Sequence, residues 1–299
     1  MIKRLKEFTL PLAILMGFLF HGFFSTLGNI IPWLIFVMLY LTLCSVDMRK
    51  IRPSKLHLWI LAFQVLASIS VYFLILPFNK ILAQGALVLL IAPTATSAPV
   101  IANMLGANIN TMVTSTLLSN LAVAAVSPLY FSWAGIHGDL PFWESSWMVL
   151  SKVAPLLIVP LVLAYITQRY TPTLSEKISK YKNASYYLWA ISLTVVIGRT
   201  IDSIFQLNHT ELGILLAMTI LSIVLCIVQF GVGRFTGKLY GETIAGGQSA
   251  GQKNTVLAIW MAQTYMTPIS SVIPAMYVLW QNLFNSYQIW NKNRREHRR

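Results

Sequence analysis

Cysteine and acidic residues are scarce in this chain, which has two cysteines and nine Asp and Glu residues among 299. Cys44 and Cys226 each lie inside an apolar run, so the sequence offers no disulfide framework and no cysteine metal site. The five histidines lack the spacing of metal ligands, and no phosphate-binding, dinucleotide-binding or serine-nucleophile motif is present. We therefore predict that the protein is not an enzyme and has no cofactor, apart from the sodium ion considered below.

Charged residues are also few, at 10% of the chain, whereas hydrophobic residues make up 56%. Soluble domains average about 45–50% apolar and about 25% charged residues, so this composition indicates an integral membrane protein. The formal net charge is +13, which in a soluble protein would suggest a nucleic-acid partner. Because the chain is so apolar, we expect the lipid bilayer as its partner and no nucleic acid.

Ten apolar segments approach the roughly 20 residues that a helix needs to cross a bilayer. We predict an all-α membrane protein with ten transmembrane helices, at about 8–25, 30–46, 57–77, 81–105, 109–131, 147–168, 185–205, 211–232, 240–264 and 267–289. The first segment resembles a signal peptide, but no small-residue cleavage pattern follows it. We interpret it as a retained helix.

Most of the 22 Lys and Arg residues fall in alternate connections between these segments, including a basic tail at 290–299. Cytoplasmic connections of membrane proteins carry such an excess of positive charge. The pattern predicts that both termini are cytoplasmic, and we place the protein in a bacterial inner membrane. Arg199 and Lys253 are exceptions, because they fall inside predicted spans.

The ten spans divide into two sets of five, so the second set crosses the membrane in the opposite sense. This is the inverted-repeat plan of many secondary transporters. The first repeat proper is 8–131, within a first half of 1–168 that is counted to the central connection. The second repeat is 147–289.

Segments four and nine, which occupy matching positions in the two repeats, are both interrupted. Pro93 and Pro99 break the first among several hydroxylated residues, and a glycine-rich polar run, 246–255, breaks the second. Unwound backbone at membrane depth must be buried in protein or line a wet cavity. One alternative is a simple proline kink with Ser and Thr bonding to their own helix, but two matched interruptions favour a transport site.

Four charged residues inside or beside the spans need an explanation. Lys253 costs at least about 2.5–3.5 kcal/mol at the bilayer centre, so it should face a cavity or a partner, or extend to water. Such a lysine could also bind and release a proton during transport. Arg199 and Asp202 share one helix face and could pair, and Glu242 should complement the N-terminus of segment nine.

Segments four, five and nine resemble the bile acid:sodium symporter superfamily. Pro93 to Val100 is similar to its Pro-small-small-Thr-small-Ser-Asn run, and Ser249 to Thr255 is similar to its Glu-x-Gly-x-Gln-Asn-Ser stretch. The positions that look like the hydroxyl and amide residues of the third and fifth helices are Gln64, Asn108, Thr116, Ser119 and Asn120. The resemblance implies crossed, broken helices four and nine, a core bundle of spans 3–5 and 8–10, and a panel of spans 1, 2, 6 and 7.

Departures from the family pattern concentrate at its sodium-binding positions. The family's cation-site glutamate falls at Ser249, its glutamine at Lys253, its asparagine at Pro99 and the preceding serine at Ala98. An ammonium group in the same cavity would repel a sodium ion. The resemblance therefore implies a divergent bacterial-type member with a lysine in the ninth-helix motif and a degraded sodium site.

These observations predict a secondary active transporter of an organic anion, either bile-acid-like or a small carboxylate or sulfonate, that works by alternating access. Coupling to sodium or protons and the oligomeric state stay open. The candidate substrate- and ion-binding residues are Gln64, Thr96, Ser97, Thr116, Asn120, Ser249, Gln252, Lys253, Asn254 and Thr255. Alternatives are a cation/proton exchanger, whose carboxylate would be Asp202 or Glu242, and a non-transporting membrane receptor.

Overall fold

The computed structural model describes residues 2–135, 140–206 and 212–296. His137, His209 and the last three residues of the basic tail, among them His297, lie outside these ranges. The described residues are helical, with no β-strand beyond one bridged pair. The helices are α1 (Ile2–Leu19), α2 (His21–Thr26), α3 (Ile31–Cys44), α4 (Lys55–Ile75), α5 (Lys80–Ile91), α6 (Ala98–Leu105), α7 (Ile109–Ala134), α8 (Phe142–Tyr170), α9 (Pro172–Ser179), α10 (Ala184–Phe205), α11 (Leu212–Leu239), α12 (Thr243–Gly251), α13 (Thr255–Tyr265) and α14 (Val272–Glu296).

Six helical stretches in the described part of the chain are long and apolar enough to cross a membrane. They are His21–Cys44, Lys55–Ile75, Ile109–Ala134, Phe142–Tyr170, Ala184–Phe205 and Leu212–Leu239. Two shorter apolar helices, Thr9–Leu19 and Lys80–Ile91, fall below that length. This finding supports a membrane protein, whereas the ten-span inverted repeat stays a prediction.

Large apolar side chains cover the outside of these helices. Leu58 is 66% exposed, Leu74 is 69% exposed and Ile227 is 62% exposed. Soluble monomers rarely expose large contiguous apolar patches, but lipid tails solvate such side chains readily. The exposed apolar surface therefore agrees with a bilayer around the protein.

The described helices pack in several neighbouring groups, and α7 packs against α8 to join them. Helices α1, α2 and α3 pack against α10, and α3 also packs against α8. Helix α4 packs against α5 and α7, and α11 packs against α12 and α14. The bundle-and-panel division expected from the resemblance stays a prediction.

Two details differ from the expectations. Asp202 does not pair with Arg199, because α2 packs on this side of α10 and brings His21 Nδ1 to 3.2 Å from the Asp202 carboxylate. Arg199 instead packs over Gly28, where an added Cβ would lie 2.7 Å from its guanidinium nitrogen. The basic tail also remains helical as far as Glu296. The guanidinium carbon of Arg294 lies 5.3 Å from the ring centroid of Trp290.

The three glycines of the polar run, Gly246, Gly247 and Gly251, lie inside α12 and do not interrupt it. A Cβ on Gly246 would overlap the carbonyl oxygen of Gly233 in α11, and a Cβ on Gly233 would overlap the carbonyl oxygen of Gly246. Small residues at both positions let the two helix backbones touch. This contact fixes α12, which leads directly into the interruption of segment nine.

We expect Gly246→Ala to lower the melting temperature of the purified protein, because the new methyl group must push α11 and α12 apart. Overpacking of this kind costs typically about 1–3 kcal/mol. Gly231→Ala is the matched control, since no atom of the described residues lies within 4 Å of a Cβ at that position in α11. Equal melting temperatures for Gly246→Ala and the wild type would contradict the close contact.

Candidate functional site

The chain unwinds at both predicted interruptions. Residues 92–97 separate α5 from α6, and residues 252–254 separate α12 from α13. A residue before proline is biased away from helix, and Ala92, which precedes Pro93, has φ −50° and ψ 138°. Pro99 does not break a helix but lies in the first turn of α6, where its missing N–H costs nothing.

The two unwound connections lie side by side and satisfy each other's backbone groups. Ala95 N–H donates to the carbonyl of Gln252 at 2.8 Å, and Asn254 N–H donates to the carbonyl of Pro93 at 2.8 Å. Thr94 and Lys253 form the antiparallel bridge between them. We call this junction, residues 92–97 with 252–254, the crossing.

Lys253 is buried at the crossing, with 2% of its surface exposed. Its Nζ donates to the carbonyl oxygens of Leu90 and Ala92, at 2.9 Å each. The last carbonyls of a helix have no partner within it and carry the negative end of its dipole. Of the three environments expected for Lys253, the structure shows a partner, which is the C-terminal end of α5. The side chain does not extend to water.

Gln64 of α4 holds the same helix end from another side. Its Nε2 donates to the carbonyls of Ile91, at 2.7 Å, and Ala92, at 3.1 Å. Its Oε1 accepts from Ser119 Oγ at 2.8 Å, and Ser119 Oγ accepts from the Thr94 N–H at 3.0 Å. Both amide atoms of Gln64 are used, so it fixes α4, α5 and α7 together.

Ser249 joins α12 to α7 and to the crossing. Its carbonyl accepts from Thr94 Oγ1 at 2.7 Å, and its hydroxyl donates to Ser115 Oγ at 2.8 Å. Ser249 is 1% exposed. A hydroxyl with these partners serves packing, and it lacks the negative charge of the glutamate that the family resemblance places there.

Helix α14 contributes a row of polar side chains that the sequence analysis missed. Tyr277 OH donates to the carbonyl of Gly251 at 2.7 Å. Gln281 Oε1 accepts from the Lys253 N–H at 3.0 Å, and Asn285 Oδ1 accepts from Gln248 Nε2 at 2.8 Å. Gln252 Oε1 accepts from Asn285 Nδ2. The sequence carried a signal for this row, because Tyr277, Gln281 and Asn285 recur at a spacing of four, which puts them on one helix face. We call these three residues the α14 polar face.

Two candidate asparagines keep an unused polar atom in the buried interior. Asn120 Nδ2 donates to the carbonyl of Thr116 at 2.7 Å, and Asn254 Oδ1 caps α13 by accepting from the Leu257 N–H at 3.2 Å. Among the described residues, Asn120 Oδ1 and Asn254 Nδ2 have no hydrogen-bond partner. The residues are 8% and 6% exposed, so a ligand or water would satisfy these atoms at a buried position.

The remaining candidates divide between the interior and the surface. Thr116 Oγ1 donates to the carbonyl of Met112 at 3.0 Å, and the Thr255 N–H donates to the carbonyl of Lys253 at 2.9 Å. Thr96 is half-buried and Ser97 is exposed, and the Ser97 side chain makes no capping bond to α6. Thr96 and Ser97 are therefore the candidates that a ligand from outside meets first.

The two carboxylates considered for an exchanger lie outside this network. Asp202 bonds to His21, as described above. Glu242 directly precedes α12, where its charge complements the helix N-terminus as expected. Its Oε1 accepts from Asn108 Nδ2 at 3.3 Å and from Thr111 Oγ1 at 3.2 Å.

Comparison of the sequence with models of known protein families gives no match, and no curated protein matches it. The resemblance to the bile acid:sodium symporter superfamily therefore stays a prediction.

We expect Asn285→Ala to lower the melting temperature, because it leaves the buried amides of Gln248 and Gln252 without their partner. Each buried polar group that loses its partner costs about 1–3 kcal/mol. Asn282→Ala is the control, since the bond that Asn282 makes among the described residues is to the Val278 carbonyl of its own helix. An equally large fall in melting temperature for Asn282→Ala would show that the hydrogen bonds of the Asn285 amide do not stabilise the protein.

Proposed function

We propose that the protein is a secondary active transporter of an organic anion, related to the bile acid:sodium symporters, in which the Lys253 ammonium replaces a bound sodium ion. One observation carries this proposal: Lys253 Nζ lies 2.9 Å from the carbonyls of Leu90 and Ala92, where two interrupted apolar segments meet. Freed carbonyls at the end of a half-helix are the groups that transporters use to coordinate a cation.

The interruptions themselves argue for a moving part. Each backbone group left without a partner in hydrocarbon costs several kcal/mol, and a continuous helix avoids that cost. An interrupted helix with a buried charge is expensive and is found at sites that bind and release a solute. In the transport cycle that we propose, a core bundle carrying the crossing moves against a panel and exposes the crossing alternately to each side.

The charge at the crossing favours an anion as the solute. Among the described residues, the hydrogen-bond partners of Lys253 Nζ are neutral carbonyls, so the positive charge is not cancelled by a carboxylate there. The N-terminus of α6 adds a partial positive charge beside Thr96 and Ser97. Thr96 and Ser97 would contact the anion, while Lys253 acts on it through the electrostatic potential.

Sodium coupling is the weaker form of the proposal. The Leu90 and Ala92 carbonyls are already bound by a fixed ammonium, which repels a second cation. Transport would then be independent of cations or coupled to protons. A cation/proton exchanger receives no support, since Asp202 and Glu242 bond outside the crossing.

We expect uptake of an organic anion into proteoliposomes to proceed without a sodium gradient. A thermal-shift screen of carboxylates and sulfonates, at several pH values with and without sodium, identifies the test anion. Uptake is then compared under a sodium gradient, a proton gradient and neither. Strong sodium dependence, with one or two ions moved per anion, would contradict the role given to Lys253.

Lys253→Gln should make the protein respond to sodium, because the shorter neutral amide leaves the Leu90 and Ala92 carbonyls available to a metal ion. We expect sodium to raise the melting temperature of this variant but not of the wild type. Lys152→Gln is the control for loss of charge, since Lys152 is exposed on α8. If Lys253→Ala changes neither uptake nor the thermal shift caused by the anion, the non-transporting receptor is the better interpretation.

A further inference from the structure

A second site lies at the C-terminal end of α14, away from the crossing. A cavity of about 420 Å³ opens there between the ends of α6, α11 and α14 and the start of α12. Three cations line it, Arg234, Lys292 and Arg295, together with Gln288, and none of the described side chains that line it is acidic. A cavity of this size and charge is suited to a small anionic group.

The polar groups of this cavity are held in place. Arg234 Nη1 donates to Gln288 Oε1 at 2.9 Å, and Lys292 Nζ donates to the carbonyl of Met104 at 2.9 Å. Gln288 Nε2 is buried and has no acceptor among the described residues. A fixed N–H donor without an acceptor, beside two positioned cations, is a site prepared for an oxygen-rich anion.

Most of the remaining lining is apolar, and exposed aromatic side chains lie on the same end of α14. Leu105, Ile244 and Phe284 supply apolar walls. Tyr287 is 59% exposed and Trp290 is 55% exposed, and such aromatic side chains are enriched at the headgroup level of membranes. An anion that carries an apolar chain satisfies both the cations and these walls.

We propose that this cavity binds the phosphate group of an anionic phospholipid. Basic pockets between membrane helices on the cytoplasmic side recognise such headgroups. Arg234, Arg295 and Gln288 Nε2 would donate to the phosphate oxygens, and the acyl chain would lie along the apolar walls. The site is independent of the anion and the coupling ion in the proposed transport cycle, and its test requires no transport.

The test measures binding to the full-length protein in detergent. The ligands are phosphatidylglycerol, phosphatidylcholine and inorganic phosphate. Binding of each ligand is measured by the rise in melting temperature and by native mass spectrometry. We expect phosphatidylglycerol to bind and to raise the melting temperature, and phosphatidylcholine to do neither. Arg295→Gln should weaken phosphatidylglycerol binding roughly fivefold, the usual contribution of one basic residue near a lipid surface.

Arg294→Gln is the matched control, since Arg294 stacks on Trp290 and does not line the cavity. Arg234→Gln should weaken binding as Arg295→Gln does, and the melting temperature without lipid shows whether each variant still folds. Protection by inorganic phosphate as strong as that by phosphatidylglycerol would support the phosphate site but assign it to a soluble ligand. Equal binding of both lipids, or an equal loss in Arg294→Gln, would overturn the proposal.

Discussion

Every backbone group that leaves a helix at membrane depth must find a partner inside the protein, and the architecture of this chain follows from that constraint. The two unwound connections satisfy part of the need through each other, by the Ala95–Gln252 and Asn254–Pro93 bonds. The remaining carbonyls at the end of α5 are held by Lys253 and Gln64. Helices α4, α7 and α14 converge on the crossing because their side chains supply these partners.

The carbonyls at the end of α5 are bound by a lysine, and a bound metal ion would differ from it in one respect. Both place a positive charge at the negative end of α5, where it interacts favourably with the helix dipole. The ammonium is tethered to the chain, however, so it cannot leave when the solute leaves. In the proposed transporter, a site built on Lys253 would keep the electrostatic benefit of a cation without a link to a sodium gradient, and a link to a proton gradient would require the ammonium to release its proton.

The sequence predicted a helical membrane protein with two interrupted segments, but not the partners that hold the interruptions together. The Pro93 signal is local and predicted an interruption where residues 92–97 are unwound, whereas Pro99, expected to break the same segment, lies in the first turn of α6. The bond from Lys253 to Leu90 joins distant parts of the chain, and no local pattern encodes it. The one pair chosen from local spacing, Arg199 with Asp202, was wrong because α2 supplies His21 to that carboxylate. The spacing of the α14 polar face was readable in advance, whereas its partners Gly251, Lys253, Gln248 and Gln252 were not.

Helix α14 connects the crossing to the cationic cavity. Gln281 bonds to the backbone of Lys253, and Gln288, about two turns further along, lines the cavity. An α-helix without a break transmits displacement along its axis, and α14 is continuous from Val272 to Glu296. In the proposed cycle α11 and α14 both belong to the core bundle, so a movement of the crossing would carry Gln288 and Arg234 together. An anion held by the cavity would therefore join α11 to α14 within the moving bundle, and it would not by itself favour one position of the crossing over another.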